Sequence, residues 1–158
     1  MDITNGDKVK LVITGTQYPV WDDQKDERGG GEEPLVTVQE VEASFFQRGE
    51  AFYWLYEEQL EGHPHPYSTR MKYKGNVLEL VRKTKHSASN MVFETGKSYR
   101  TEYMTPLGNM FLDIVTRSVE RLNEESGAME LKVCYTLENE GQAVGEYELY
   151  IKEGVPKL

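Results

Sequence analysis

Arg82 has the clearest chemical reason to stand out in this chain, because it continues the alternation of Leu78 and Leu80. If those leucines face a core, a guanidinium faces it too. Glu58 shares its phase with Tyr56 and offers a carboxylate that could meet that cation. Hydroxyls recur in the same register: Thr69 with Met71 and Tyr73, Tyr103 and Thr105 with Tyr99 and Thr101, and Thr116 with Leu112 and Ile114. An arginine fork matches carboxylate and phosphate oxygens, and a few convergent hydroxyls orient a small polar molecule. Arg82, Glu58, Tyr56, Thr69, Tyr103, Thr105 and Thr116 are therefore the candidate ligand-binding residues. The same residues also suit an internal network in which Arg82 and Glu58 form a structural ion pair. Small barrels filled by their own side chains support that second reading.

Other constellations carry less. His63-Pro64-His65 lies near Glu57, Glu58 and Glu61, but two ligands on one loop hold zinc only if others converge. His86 sits in a different loop, so no metal site is expected. Ser87 and Ser89 flank His86, yet neighbours in a turn seldom act as nucleophile and base. Glu57 and Glu58 point to opposite faces of one strand and cannot flank a substrate. The chain carries no nucleophile elbow, phosphate loop or dinucleotide fingerprint. Its acidic loop lacks calcium-loop spacing. No cofactor is expected, and no catalytic signature is present.

The elements that must position these residues are strands. Met129, Leu131, Val133, Tyr135 and Leu137 share one phase, opposed by Glu130, Lys132, Thr136 and Glu138. Val9, Leu11 and Ile13 repeat the pattern early, and Tyr147, Leu149 and Ile151 late. Period two with one apolar face means antiparallel sheet with a dry side and a wet side. Turn signals such as Gly75-Asn76 divide about ten such segments, as an up-and-down meander requires. Within Leu35 to Gln47, Val36 and Val38 take one phase while Val41, Ala43 and Phe45 take the other, which predicts a bulge near Gln39-Glu40. In Ala51 to Leu60 both faces carry aromatic or aliphatic side chains, so an extra element or a second subunit could cover the outer one. Tyr18 to Pro34, rich in acids and holding Gly29-Gly30-Gly31, reads as a mobile loop that Trp21 could anchor as a lid. No segment has a helical period.

Composition narrows the function classes. The 158 residues fit one domain, residues 1–158, able to bury a core without staples. A net charge of −9 disfavours nucleic acid and anionic membrane surfaces as partners. Cys134 is the single cysteine, so no intrachain disulfide forms, and nothing adjacent would activate its thiolate. The N-terminal residues lack a secretory pattern, and no apolar run reaches membrane-span length, which together predict a cytoplasmic protein.

Five stretches in order, Tyr56-Glu57-Glu58, Thr69-Arg70-Met71-Lys72, Met91-Val92-Phe93 with Gly96, Tyr103-Met104-Thr105-Pro106-Leu107-Gly108 and Tyr135-Thr136-Leu137, resemble the YwiB-like family of uncharacterised bacterial proteins. The resemblance covers most of the chain outside the acidic loop. It implies an all-β, antiparallel, calycin-like (lipocalin-like) β-barrel of about 8–10 strands, and no activity. Gly15-Thr16-Gln17 stands where true lipocalins carry Gly-x-Trp, so extracellular lipocalin function is not carried over.

The expected function is a non-catalytic cytosolic barrel binding a small polar or anionic ligand in its interior or mouth. The alternative is an interaction or homo-oligomeric module, with a homodimer as its simplest form. An enzyme built on Arg82, Glu58 and Tyr103 ranks third.

Overall fold

The computed structural model describes residues 7–19, 21–22, 27–28, 33–59, 66–84, 88–105, 108–122 and 128–154, with the side chains at 21, 22, 27, 28 and 103–105 left aside. Every described regular element is a strand: β1 (Asp7–Tyr18), β2 (Trp21–Asp22), β3 (Glu27–Arg28), β4 (Leu35–Arg48), β5 (Ala51–Glu58), β6 (Tyr67–Lys74), β7 (Val77–Lys83), β8 (Ala88–Glu94), β9 (Ser98–Thr105), β10 (Gly108–Arg121), β11 (Glu130–Asn139) and β12 (Gln142–Glu153). Ten of them form one antiparallel sheet in the order β8-β7-β6-β5-β4-β1-β12-β11-β10-β9. Neighbours in sequence are neighbours in space, except that β1 joins β12 to β4.

The sheet curls until its two end strands meet. β8 and β9 share no ladder, but Thr101 Oγ1 donates to the Asn90 carbonyl across the gap at 2.8 Å. At the turn between them, Gly96 N–H donates to the Thr116 carbonyl and Thr116 N–H to the Lys97 carbonyl. The result is a nearly closed, calycin-like barrel. Closure matters because an open sheet edge is a template for unwanted pairing.

Local sequence explains the short connections. Gly75 and Asn76 have φ of 57° and 60°, and Glu140 and Gly141 have 52° and 80°. Two successive positive φ values make the hairpin turn whose twist matches its flanking strands. The inward phase fills the barrel with Leu11, Trp54, Met71, Leu78, Phe93, Ile114, Leu131, Val133 and Ile151, all essentially inaccessible. Removing one such side chain from water contributes about 1.5–3 kcal/mol. Phe93, Tyr135 and Tyr147 add a run of rings, with centroids 4.8 and 5.2 Å apart.

Two details depart from the sequence reading. β4 has no bulge near Gln39-Glu40, because its register with β1 runs unbroken from Asp7↔Phe45 to Gln17↔Leu35. Its inward phase is therefore Thr37, Gln39, Val41, Ala43 and Phe45, and Val36 and Val38 stand on the outside, more than half exposed. The bulges fall instead between Thr116 and Ser118 in β10, and opposite β12 at Leu137 and Glu138. Within Tyr18 to Pro34 the described residues include a small hairpin pairing Trp21 with Arg28 and Asp22 with Glu27. The lid and mobility expectations otherwise lie outside the described residues.

Candidate functional site

One end of the barrel carries the connections β4 to β5, β6 to β7, β8 to β9 and β10 to β11; the second carries β1 towards β4, β5 to β6, β7 to β8, β9 to β10 and β11 to β12. Glu58, Thr69 and Arg82 occupy that second end, because β5 finishes at Glu58, β6 begins at Tyr67 and β7 finishes at Lys83. The ladders set Tyr56 opposite Thr69 and Thr69 opposite Arg82.

Glu58 is the centre of the cluster. Its side chain is 1% exposed, against 32% for Arg82. Thr69 Oγ1 donates to Glu58 Oε2 at 2.6 Å, and Arg82 Nε donates to the same oxygen at 3.1 Å. Gln39 Nε2 donates to Oε1 at 3.0 Å. Three donors, one of them a cation, offset the cost of burying this carboxylate. The neighbouring Tyr56 phenol is pushed well above its ordinary range, first by burial, then by the Glu58 charge, with Arg82 opposing. It therefore stays protonated and cannot serve as a base near neutral pH.

Arg82 stands at the end of the barrel and is only partly buried. Among the described residues its one hydrogen bond uses Nε, and the Nη edge of the guanidinium makes none. Planar guanidinium groups commonly bind oxyanions through such an edge.

The structure brings together Arg82, Glu58, Tyr56 and Thr69. It takes Thr116 elsewhere, because the backbone bonds of Thr116 to Gly96 and Lys97 fix it beside the tight β8–β9 turn. There its hydroxyl is buried without a partner among the described residues. The side chains of Tyr103 and Thr105 lie outside the described residues, as do His63, His65, His86 and Ser87. Gln39 was missed, because the supposed bulge removed it from the inward phase that it shares with Val41 and Ala43. The Ile13↔Gln39 pairing restores that phase.

A cleft of about 820 Å³ opens in the wall beside this cluster. It is lined by Val41, Tyr56 and Thr69 from the inward phase and by Glu40, Glu42, Leu55, Glu57 and Arg70 from the outer one. Its origin is a change of partners. β4 pairs with β5 only from Ser44↔Leu55 to Arg48↔Ala51, although β4 starts at Leu35 and β5 continues to Glu58. Beyond Leu55 the wall splits, and the Gln39–Glu58 hydrogen bond crosses the split on the inside.

Among the described residues no group of three or more acidic, histidine or cysteine side chains could hold a metal ion. No described helix is long and apolar enough to cross a membrane.

Comparison with known proteins places the architecture. No curated protein matches the sequence. The crystal structure of the ywiB protein from Bacillus subtilis is similar, with a TM-score of 0.73, 15% identity, and 97% of this chain and 96% of that one covered. At that identity the likeness speaks for the fold. The sequence profile of DUF1934, a domain of unknown function, matches residues 23–151, the greater part of the chain. By that match, and with a ywiB-like barrel around it, the protein belongs to the DUF1934 family.

Proposed function

We propose that this protein is a non-catalytic binding barrel that takes a small polar or anionic ligand at the end carrying Glu58. One observation supports the reading above the others. Arg82 is a third exposed and engages Glu58 through Nε alone, while Glu58 is satisfied by three donors. A purely structural arginine would be expected to spend more of its donors on the protein. The ligand would lie against the Nη edge, and the half-buried setting would strengthen that contact relative to open water. Residence in the cytoplasm is part of the same reading.

Native mass spectrometry of the protein purified from its own cells tests the proposal. A small molecule should be retained by the wild type and lost from Arg82→Met, with far-UV circular dichroism unchanged. Equal retention by both proteins would overturn the assignment to Arg82.

A second reading, a protein-interaction or homo-oligomeric module, is favoured by the exposed apolar side chains Leu35, Val36 and Val38 on β4 and Phe111 on β10. The same spectra would reveal it as an oligomer without a retained small molecule.

A further inference from the structure

The split between β4 and β5 is a break in the hydrogen-bonded wall and is independent of the Arg82 reading. From Leu35 to Ala43, β4 pairs with β1 on one side and, among the described residues, with no strand on the other. From Tyr56 to Glu58, β5 pairs with β6 and, among the described residues, has no strand on its β4 side. Two strand edges thus face the same cleft of about 820 Å³. Unpaired main-chain groups at a sheet edge are the usual template for an added strand.

The charges that the two edge strands bring to the split share one sign. Glu40 and Glu42 stand on the β4 wall and Glu57 on the β5 wall, all exposed and pointing outward. Lys10 pairs with Glu40 at 3.3 Å, while Glu42 and Glu57 have no ion pair among the described residues. The cations that line the cleft stand on neighbouring strands: Lys8 on β1 opposite Ser44, Arg70 on β6 opposite Leu55, and Lys83 on β7. Arg70 is also committed to Glu79. On the inside, the Gln39–Glu58 bridge, Tyr56 and Thr69 form a polar surface.

We infer that this split receives an extended peptide as an added strand, with basic side chains outward beside Glu42 and Glu57 and small polar side chains inward. Since β4 and β5 are antiparallel, the peptide would run antiparallel to one wall and parallel to the other. Main-chain bonds would hold it, and the alternation of side chains would select it.

The probe is an acetylated, amidated heptapeptide of alternating lysine and threonine, with a glutamate-for-lysine version as control. The readout is amide NMR with hydrogen exchange on the full chain. The lysine peptide should protect amides in both 39–43 and 56–58, and the glutamate peptide should not. Glu42→Lys combined with Glu57→Lys should weaken the lysine peptide at least tenfold and admit the glutamate peptide. Both positions are exposed, so the variant should fold, which its unliganded spectrum checks. Shift changes scattered over the surface without protection would mean charge attraction alone and overturn the inference. Concentration-dependent protection of these amides without peptide would assign the split to a second copy and overturn it as well. Absence of binding would do the same.

Discussion

Trp54 donates its indole N–H to Glu153 Oε2 at 2.8 Å, linking the middle of β5 to the last residue of β12 through the barrel interior. Both residues are buried, so the barrel holds a second carboxylate well away from Glu58. The two carboxylates are treated differently. Glu58 has a cation in direct contact. Around Glu153, burial outweighs the Trp54 bond, the Met129 backbone and the nearby charge of Arg121, and the carboxyl is pushed above its ordinary 4.5.

That shift sets a direction for stability against pH. A carboxyl whose pKa is higher folded than unfolded holds its proton longer in the native state. Its contribution is complete below the ordinary carboxylate value and is lost as pH rises through the raised folded value. Urea midpoints should therefore carry a component that falls from about pH 4.5 upward, and Glu153→Gln should remove it. An unchanged slope in the variant would show that Glu153 titrates as a solvated group.

The Glu58 cluster should behave as a coupled unit. Arg82→Met leaves a buried carboxylate with two neutral donors, and a loss of about 2 kcal/mol is expected, below the full buried-pair cost because Arg82 is partly exposed. Adding Glu58→Gln should recover much of that loss, giving a non-additive double-mutant cycle. Additive effects would mean that Arg82 and Glu58 stabilise the barrel separately.

Gly145 is held by its neighbour. A Cβ there would lie 2.5 Å from the Tyr147 ring, which stacks on Tyr135 with its plane 14° away. Gly145→Ala should swing the ring, reduce the near-UV circular dichroism and cost about 1–3 kcal/mol. Full retention of the aromatic signal would contradict this account.

The seam offers a fourth test. Thr101→Val keeps the shape but removes the bond to Asn90. A loss of about 1 kcal/mol is expected, with faster amide exchange concentrated in β8 and β9. Exchange that rises uniformly would mean that the seam does not open on its own.

The inward and outward phases of most strands were legible from alternation, because one dry face repeats every second residue. The positions of Glu58, Thr69 and Arg82 at one end followed from the same rule applied to three neighbouring strands. Alternation could not give the β4–β5 split, which depends on where two strands stop pairing while each still looks like a strand. It gave the inward direction of Thr116 but not its height in the barrel, which the β8–β9 turn and the bulge after Thr116 fix. The Trp54–Glu153 contact joins residues far apart in sequence, and no local pattern encodes it. Val36 and Val38 misled for a simpler reason: exposed valines on an outer face look like core.

The chain order of the ladders has a consequence for how the barrel assembles. Every ladder from β4 to β8 and from β9 to β12 joins consecutive strands, so each is a hairpin that can form early at small entropic cost. The β1–β12 ladder, running from Leu11↔Glu153 to Tyr18↔Glu146, joins the two extremes of the described chain. Two locally built half-barrels would thus meet through β1, with closure coming late. Weakening the packing of Ile13 or Leu149 should then speed unfolding while leaving the refolding rate nearly unchanged.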